Sequence, residues 1–495
     1  IDNTGVQVAD VVVGFRHLRD LTLQEVYSIP DPFDYYCWDL YAEVSDWFGQ
    51  DPSRLDLRME TLHAIEIGTG PVAELAEHIA DRIVRRHLKT MSRLAVRYDV
   101  LPRESEILQL RFWDEAFERL KQREAIEFVT EGPQQGCWVM RLPGEDGRRD
   151  ENKIIVRSNG TVTYVGKDIA YQLWKFGLLT KSFQYRRFCQ YENGPSVWIS
   201  TTKGEPEAPE FGRGELVYNV IDVRQSYLQR VVVQGLRSLG YREQADRSIH
   251  FSYEMVALSP ACCEALDIEL SDEEKVRPYV EVSGRKGLGV KADDLIDALE
   301  RKSLAEVQKR QPDLEEEAQQ RIARQIAIGA LRYFMLRFTR NSVIAFDFQE
   351  ALSFEGETGP YLQYSMVRSG NIFRRLEEQV AGWDLKNWRS SISQAWPFDS
   401  TTLELEADHE IWALLLEVAR TEEIVQQSIS TLEISNVAKH AFSLAQQFNL
   451  FYHRHHILKE RDALRKEYYL AVADTARRGL QTVLDLLGIE APERM

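Results

Sequence analysis

Lys153–Leu179 reads KIIVRSNGTVTYVGKDIAYQLWKFGLL, and its hydrophobic period changes partway along. Two β-branched runs flank the turn residues Ser158, Asn159 and Gly160, and a helical period takes over near Asp168. The spacing predicts strand, turn, strand, helix. Downstream, LVYNVID (Leu216–Asp222) reads as a buried strand, RQSYLQRVVVQGLRSLG (Arg224–Gly240) as a helix, and SIHFSYEMVAL (Ser248–Leu258) as the next strand. Strands alternating with helices predict an α/β fold with a mostly parallel sheet.

Upstream, Pro71–Tyr98 carries apolar residues at helical spacing with Arg and Lys opposite, and a second helix is expected near Arg111–Glu124. Turn-rich EGPQQG and GEDGRRDEN surround the strand-like CWVMRL, so 71–152 is expected to be an inserted subdomain of mixed structure. Beyond roughly Asp293 nearly every segment has a helical period, which predicts an all-helical bundle. Thr358 and Gly359 before Pro360 suit a helix start, since a first-turn residue needs no N–H partner.

A chain of 495 residues exceeds one compact core, so two or three domains are expected. Its formal charge of −17 excludes a generally basic coat for nucleic acid, leaving local patches such as the basic stretch Phe451–Arg478. Five cysteines form no CxxC pair, which suits a reducing, cytoplasmic compartment and no structural metal. His453, His455 and His456 lack a companion carboxylate or thiolate, so a basic surface is expected there rather than a metal site. No apolar run approaches the ~18–20 residues a bilayer needs, so no membrane partner is expected.

Ligands of open parallel sheets lie beyond the carboxyl ends of the strands. Tyr164 and Asp168 fall at such a place, and Gln225 follows VIDVR. A phenol, a carboxylate and an amide could hold a guanidinium through charge-assisted, oriented hydrogen bonds; equally, Asp168 could cap a helix and Tyr164 could be a packed aromatic. SGRKGLG (Ser283–Gly289) could approach a polyphosphate or be a basic hinge, and it is neither a Walker loop nor GxGxxG.

Six ordered stretches together resemble arginyl-tRNA synthetases, a family of class I aminoacyl-tRNA synthetases: IDNTGVQVADVVVGF (Ile1–Phe15), Ile154–Leu179, HFSYEMVAL (His250–Leu258), SGRKGLGVKADDLID (Ser283–Asp297), FDFQEALSFEGETGPYLQYSMVR (Phe346–Arg368) and VLDLLGIEAPERM (Val483–Met495). The resemblance implies a Rossmann-type catalytic domain over 1–299, a helical stem over 300–345 and an all-helical anticodon-binding domain over 346–495. It implies activation of L-arginine by ATP, with Mg2+, and transfer to tRNA(Arg), by a cytoplasmic monomer.

It also implies roles. Glu104 (in YDVLPRES), Tyr164, Asp168 and Gln225 would hold arginine, and His250 would line the ATP site together with Gly284 and Gly287. Tyr452 and Met495 would grip the anticodon loop. Ser283, Arg285 and Lys286 would act in the KMSK-type loop, where Glu281, Val282 and Gly284 replace the first Lys, the Met and the second Lys. HIGH does not occur in these residues, so the chain resembles a synthetase without its N-terminal module and HIGH-bearing segment. The alternative expectation is a module that binds arginine or tRNA without catalysis. Tyr361, Gln363 and Tyr364 are expected in packing, and Phe448 and Phe451 in the core.

Overall fold

The computed structural model describes residues 1–142, 151–192, 194–281, 289–394 and 409–495. The chain divides into two compact units, one running Ile1–Tyr253 and the other starting at Glu254.

In the first unit, Val6–Val13 (α1), Phe33–Gln50 (α2), Leu55–Ile67 (α3) and Pro71–Arg93 (α4) enclose one apolar interior that includes Phe15, Phe33, Leu40, Val44 and Ile79. Asp10 is buried there, and Arg58 meets it with two hydrogen bonds of 2.6 and 2.9 Å. Such a fork matches a carboxylate's geometry and offsets part of the cost of burying it.

The second interior of this unit is α/β. Its helices are Glu104–Gln109 (α5), Phe112–Gln122 (α6), Tyr164–Lys175 (α7) and Ser226–Ser238 (α8). Its strands are Val100–Leu101 (β1), Glu127–Phe128 (β2), Trp138–Leu142 (β3), Glu151–Val156 (β4), Gln184–Gln190 (β5), Ser196–Thr201 (β6), Val217–Asp222 (β7) and Ser248–Tyr253 (β8). β1 pairs parallel with β6, β6 antiparallel with β5, and β2–β3–β4 form an antiparallel sheet. β7 and β8 are parallel, in register from Val217 opposite Ser248 to Asp222 opposite Tyr253. Phe112, Leu120, Ile155, Ile169, Leu173 and Leu236 fill the space between these helices and strands. The stretch expected as an insert, 71–152, is shared between the two interiors: α4 lies in the first, α6 and β3 in the second.

Two local expectations change. The second strand expected after Gly160 shrinks to a single bridge, Val156 with Val162. Thr163 then turns its hydroxyl onto the Ile154 and Ile155 carbonyls, and α7 begins at Tyr164, four residues before the place read from the period. SIHFSYEMVAL is likewise broken, because β8 stops at Tyr253 and Val256–Leu258 (β9) pairs parallel with Ile344–Phe346 (β10) in the second unit.

The second unit is otherwise helical, as expected. Ala292–Arg310 (α9) lies beside Glu316–Leu336 (α10), and Gly359–Gln379 (α11), His409–Ala419 (α12), Thr421–Thr431 (α13), Ser435–Arg454 (α14) and Ala463–Leu487 (α15) form the bundle. Phe448 and Phe451 are fully buried in it. Thr358 caps α11 and Pro360 sits in its first turn.

α10 and α11 meet at Gly329 and Gly359. A Cβ on Gly359 would fall on the Gly329 carbonyl, and one on Gly329 would meet the Gln363 amide. Gln363 is fully buried and donates to the carbonyls of Gln325 (2.8 Å) and Glu490 (2.6 Å), joining three segments. Gly359→Ala is therefore expected to destabilise the protein by about 2–3 kcal/mol, the cost of forcing rigid backbones apart, measured by denaturant unfolding. An unchanged midpoint would mean the helices can separate freely.

Candidate functional site

Tyr164, Asp168, Tyr171 and Lys175 recur on α7 at intervals of four, three and four, which places them on one face. The two structural alternatives read from the sequence, a cap and a packed aromatic, are not what the structure shows. Thr163, not Asp168, occupies the cap position, and Asp168 is the fifth residue of the helix. Tyr164 is 63% exposed, so it is no packed core aromatic.

By its residue surface Asp168 is exposed, although enough protein surrounds its carboxyl for desolvation to be the largest influence on it. Desolvation raises its carboxyl to about 6; Lys175 and Lys167 pull it down, while the charge of Glu104 pushes it up. Among the described residues no hydrogen bond or ion pair holds this carboxylate. Glu104, at the start of α5, is already engaged: it accepts from Lys167 Nζ at 2.7 Å. Lys167 went unread in the sequence, although its position beside Asp168 in GKDIAY was a usable signal.

Lys175 is half-buried, and its ammonium donates to Asn219 Oδ1 at 2.7 Å and lies 4.5 Å from the centre of the Tyr171 ring. Burial lowers it to about 8, against the opposing pull of Asp168. Asn219, buried on β7, stands opposite His250 on β8, so both side chains leave the sheet on the same face. His250 Nε2 donates to the Ile221 carbonyl at 2.9 Å. Gln225 ends the 3₁₀ turn Val223–Gln225 at the carboxyl end of β7, exposed at the entry to α8. Glu104, Tyr164 and Asp168 are thus gathered on α7 and its flank, with His250 and Gln225 on the adjoining parallel pair. Ser283, Gly284, Arg285, Lys286 and Gly287 lie outside the described residues.

A carboxylate at the base of a polar, aromatic-edged face can select a cation, and planar donors suit it best. The thiols offer no rival chemistry: burial pushes Cys37 and Cys262 up to about 12, far from the thiolate a nucleophile needs. Among the described residues no group of three His, Cys, Asp or Glu could hold a metal, and no helix is long and apolar enough to cross a membrane.

The second unit carries a separate groove of about 430 Å3, into which Tyr452 and Met495 both converge with Tyr364, Arg368, Arg375 and His456. Arg368 organises it. Its guanidinium lies 4.7 Å from the Tyr364 ring centre and 5.0 Å from that of Tyr452, and it donates to Asn449 Oδ1 at 2.8 Å and Tyr364 Oη at 3.0 Å. Of the three residues expected in packing, Gln363 is buried and Tyr361 packs on Phe442, but Tyr364 faces the groove. Arg368 was missed in the sequence; its signal is the four-residue spacing from Tyr364 on α11.

An α/β unit with an open carboxylate on one helix face, followed by a helical bundle with an aromatic and basic groove, fits the architecture of an aminoacyl-tRNA synthetase. Residues 362–495 match the family model described as the DALR anticodon binding domain. The whole chain aligns with the arginine–tRNA ligase of Thermococcus kodakarensis at 31% identity, covering 74% of that protein, and with that of Thermus thermophilus at 33%, covering 75%. Among solved structures, the Thermus thermophilus arginyl-tRNA synthetase superposes over all of this chain and 75% of its own, with a TM-score of 0.77 at 30% identity. The chain belongs to the arginyl-tRNA synthetase family.

Proposed function

We propose that the protein is an arginine–tRNA ligase that activates L-arginine with ATP, supplied as its magnesium complex, and passes the arginyl group to tRNA(Arg). The observation that carries the substrate choice is Asp168, a desolvated carboxylate without a partner among the described residues, on a face shared with Tyr164. A guanidinium would supply the missing partner with a fork of N–H donors, and the Tyr164 hydroxyl would accept or donate at its edge. Glu104 joins once arginine displaces Lys167 from it. Gln225, at the end of β7, is assigned to the α-amine.

His250 faces the nucleotide in this reading, and Ser283, Gly284, Arg285, Lys286 and Gly287 are assigned to its phosphates, with Arg285 and Lys286 giving the positive charge. Residues 1–299 would carry activation and 346–495 anticodon recognition, with the helices of 300–345 between them. Tyr452, Met495 and Arg368 suit unpaired bases, which stack on aromatic rings and guanidinium planes. The protein would work as a cytoplasmic monomer.

Citrulline tests the electrostatic core of this reading, because it matches arginine in shape but carries no charge. It is expected to compete at least about 100-fold less well in a charging assay, since a desolvated carboxylate facing a neutral group stays uncompensated. Equal competition by citrulline would remove Asp168 from the recognition role.

A further inference from the structure

Lys175 has no role in the recognition described above, yet two contacts fix it on the same face. Its ammonium is held by Asn219 Oδ1 at 2.7 Å and by the Tyr171 ring, and Tyr171 is itself stacked on Trp174 with ring centres 5.4 Å apart. A lysine loses much rotamer freedom when fixed this way and gives up hydration, so the arrangement has a cost that packing alone does not explain. Seven residues separate it from Asp168, about 10 Å of helix rise.

We propose that Lys175 is a positioning residue for the guanidinium site, an anchored ammonium that keeps the Asp168 carboxylate charged while the site is empty. This rests on the reading of Asp168 as the guanidinium's partner. The charged groups acting on Asp168 are Lys175 and Lys167 from its own helix and Glu104 from α5. Among the described residues the other elements packed on α7, namely α6 with Trp113 against Gly166, α8 with Gly235 against Ile169, β4 with Lys153 and β7 with Asn219, add no further charge acting on Asp168. Lys167 is committed to Glu104, so the two largely cancel at a distance. Among the described residues Lys175 is then the positive charge left acting on Asp168.

Its distance also matters. At about 10 Å and an effective dielectric near 20, a unit charge moves a carboxyl's titration by about one pH unit. That suffices to hold the carboxylate ionised near neutrality, while the ammonium itself stays committed to Asn219 Oδ1 rather than to Asp168.

The test is the pH dependence of L-arginine binding to the full chain by calorimetry, from pH 5.5 to 8.5. In the unsubstituted protein, affinity is expected to fall as pH drops through about 6, where Asp168 takes up its proton. Lys175→Gln should move that midpoint up by about one pH unit, weakening binding about five-fold at pH 6 and less than about two-fold at pH 8.5. Lys175→Arg should restore the midpoint. A merely structural lysine would weaken binding equally at all pH values, and an unmoved midpoint with binding intact overturns the proposal. If Lys175→Gln does not fold, Asn219→Ala, which frees the ammonium, should move the midpoint the same way by less, and no movement would overturn it. Asp168→Asn separates the two readings: if it binds arginine normally, the guanidinium assignment and this proposal both fall. If it does not bind while Lys175→Gln titrates as the parent protein does, only the role of Lys175 falls.

Discussion

Asp168→Asn is expected to lower kcat/KM for arginine by about 10²–10³-fold while leaving the fold intact. The substitution keeps the shape of the side chain and removes the charge, and truncating one partner of a desolvated, hydrogen-bonded charge pair costs about 2–5 kcal/mol. The stability change should run the other way. Because desolvation raises the Asp168 carboxyl to about 6, its ionised form disfavours the empty folded state. That penalty grows as pH rises from the ordinary carboxyl range to about 6 and is constant above. Asp168→Asn should therefore melt no lower than the parent protein at pH 7.5. Loss of arginine use without loss of Tm would mark a residue kept for recognition, as sites that trade stability for function do. A lower Tm with unchanged kinetics would make Asp168 a structural residue.

The second large effect is expected at the groove of the helical unit. Tyr452→Ala removes one ring beside Arg368 and opens the wall shared with Met495. Stacking of a base on an aromatic ring contributes about 1–3 kcal/mol, so the KM for tRNA should rise about 10- to 100-fold. Binding of arginine, measured without tRNA, should not change. Arg368→Met should act on tRNA similarly, because it removes the guanidinium plane that lies beside both rings of the groove. If neither substitution alters tRNA binding, the groove is not the anticodon site.

Most of the helical architecture was legible because period and caps are local. Pro71 starts α4, Thr358 and Pro360 start α11, and Phe448 and Phe451 point inward as their spacing requires. What failed was set by tertiary geometry. Thr163 finds the carbonyls of its own preceding strand and starts α7 early, an exchange that hydrophobic period does not register. The break after Tyr253 is invisible for a similar reason: HFSYEMVAL is uniformly strand-like, and only the separate partners of β8 and β9 divide it.

The site divides the same way. Tyr164 and Asp168 could be singled out from their spacing because both lie on one helix, and the roles proposed for them come from resemblance. Lys167 on Glu104 and Lys175 on Asn219 join residues 63 and 44 positions apart, and nothing in either local stretch announces the pairing. Arg368 with Tyr452 is a third case of this kind.

The central claim is that the carboxylate face of α7 serves arginine for transfer to tRNA. The most direct measurement offers the protein a mixture of the twenty amino acids, with ATP, Mg2+ and tRNA(Arg) transcript, and identifies by mass spectrometry the amino acid esterified to the tRNA. Arginine alone, lost in Asp168→Asn, is the expected result; lysine or any other amino acid on the tRNA, or arginine charged equally by the Asp168→Asn protein, would contradict it.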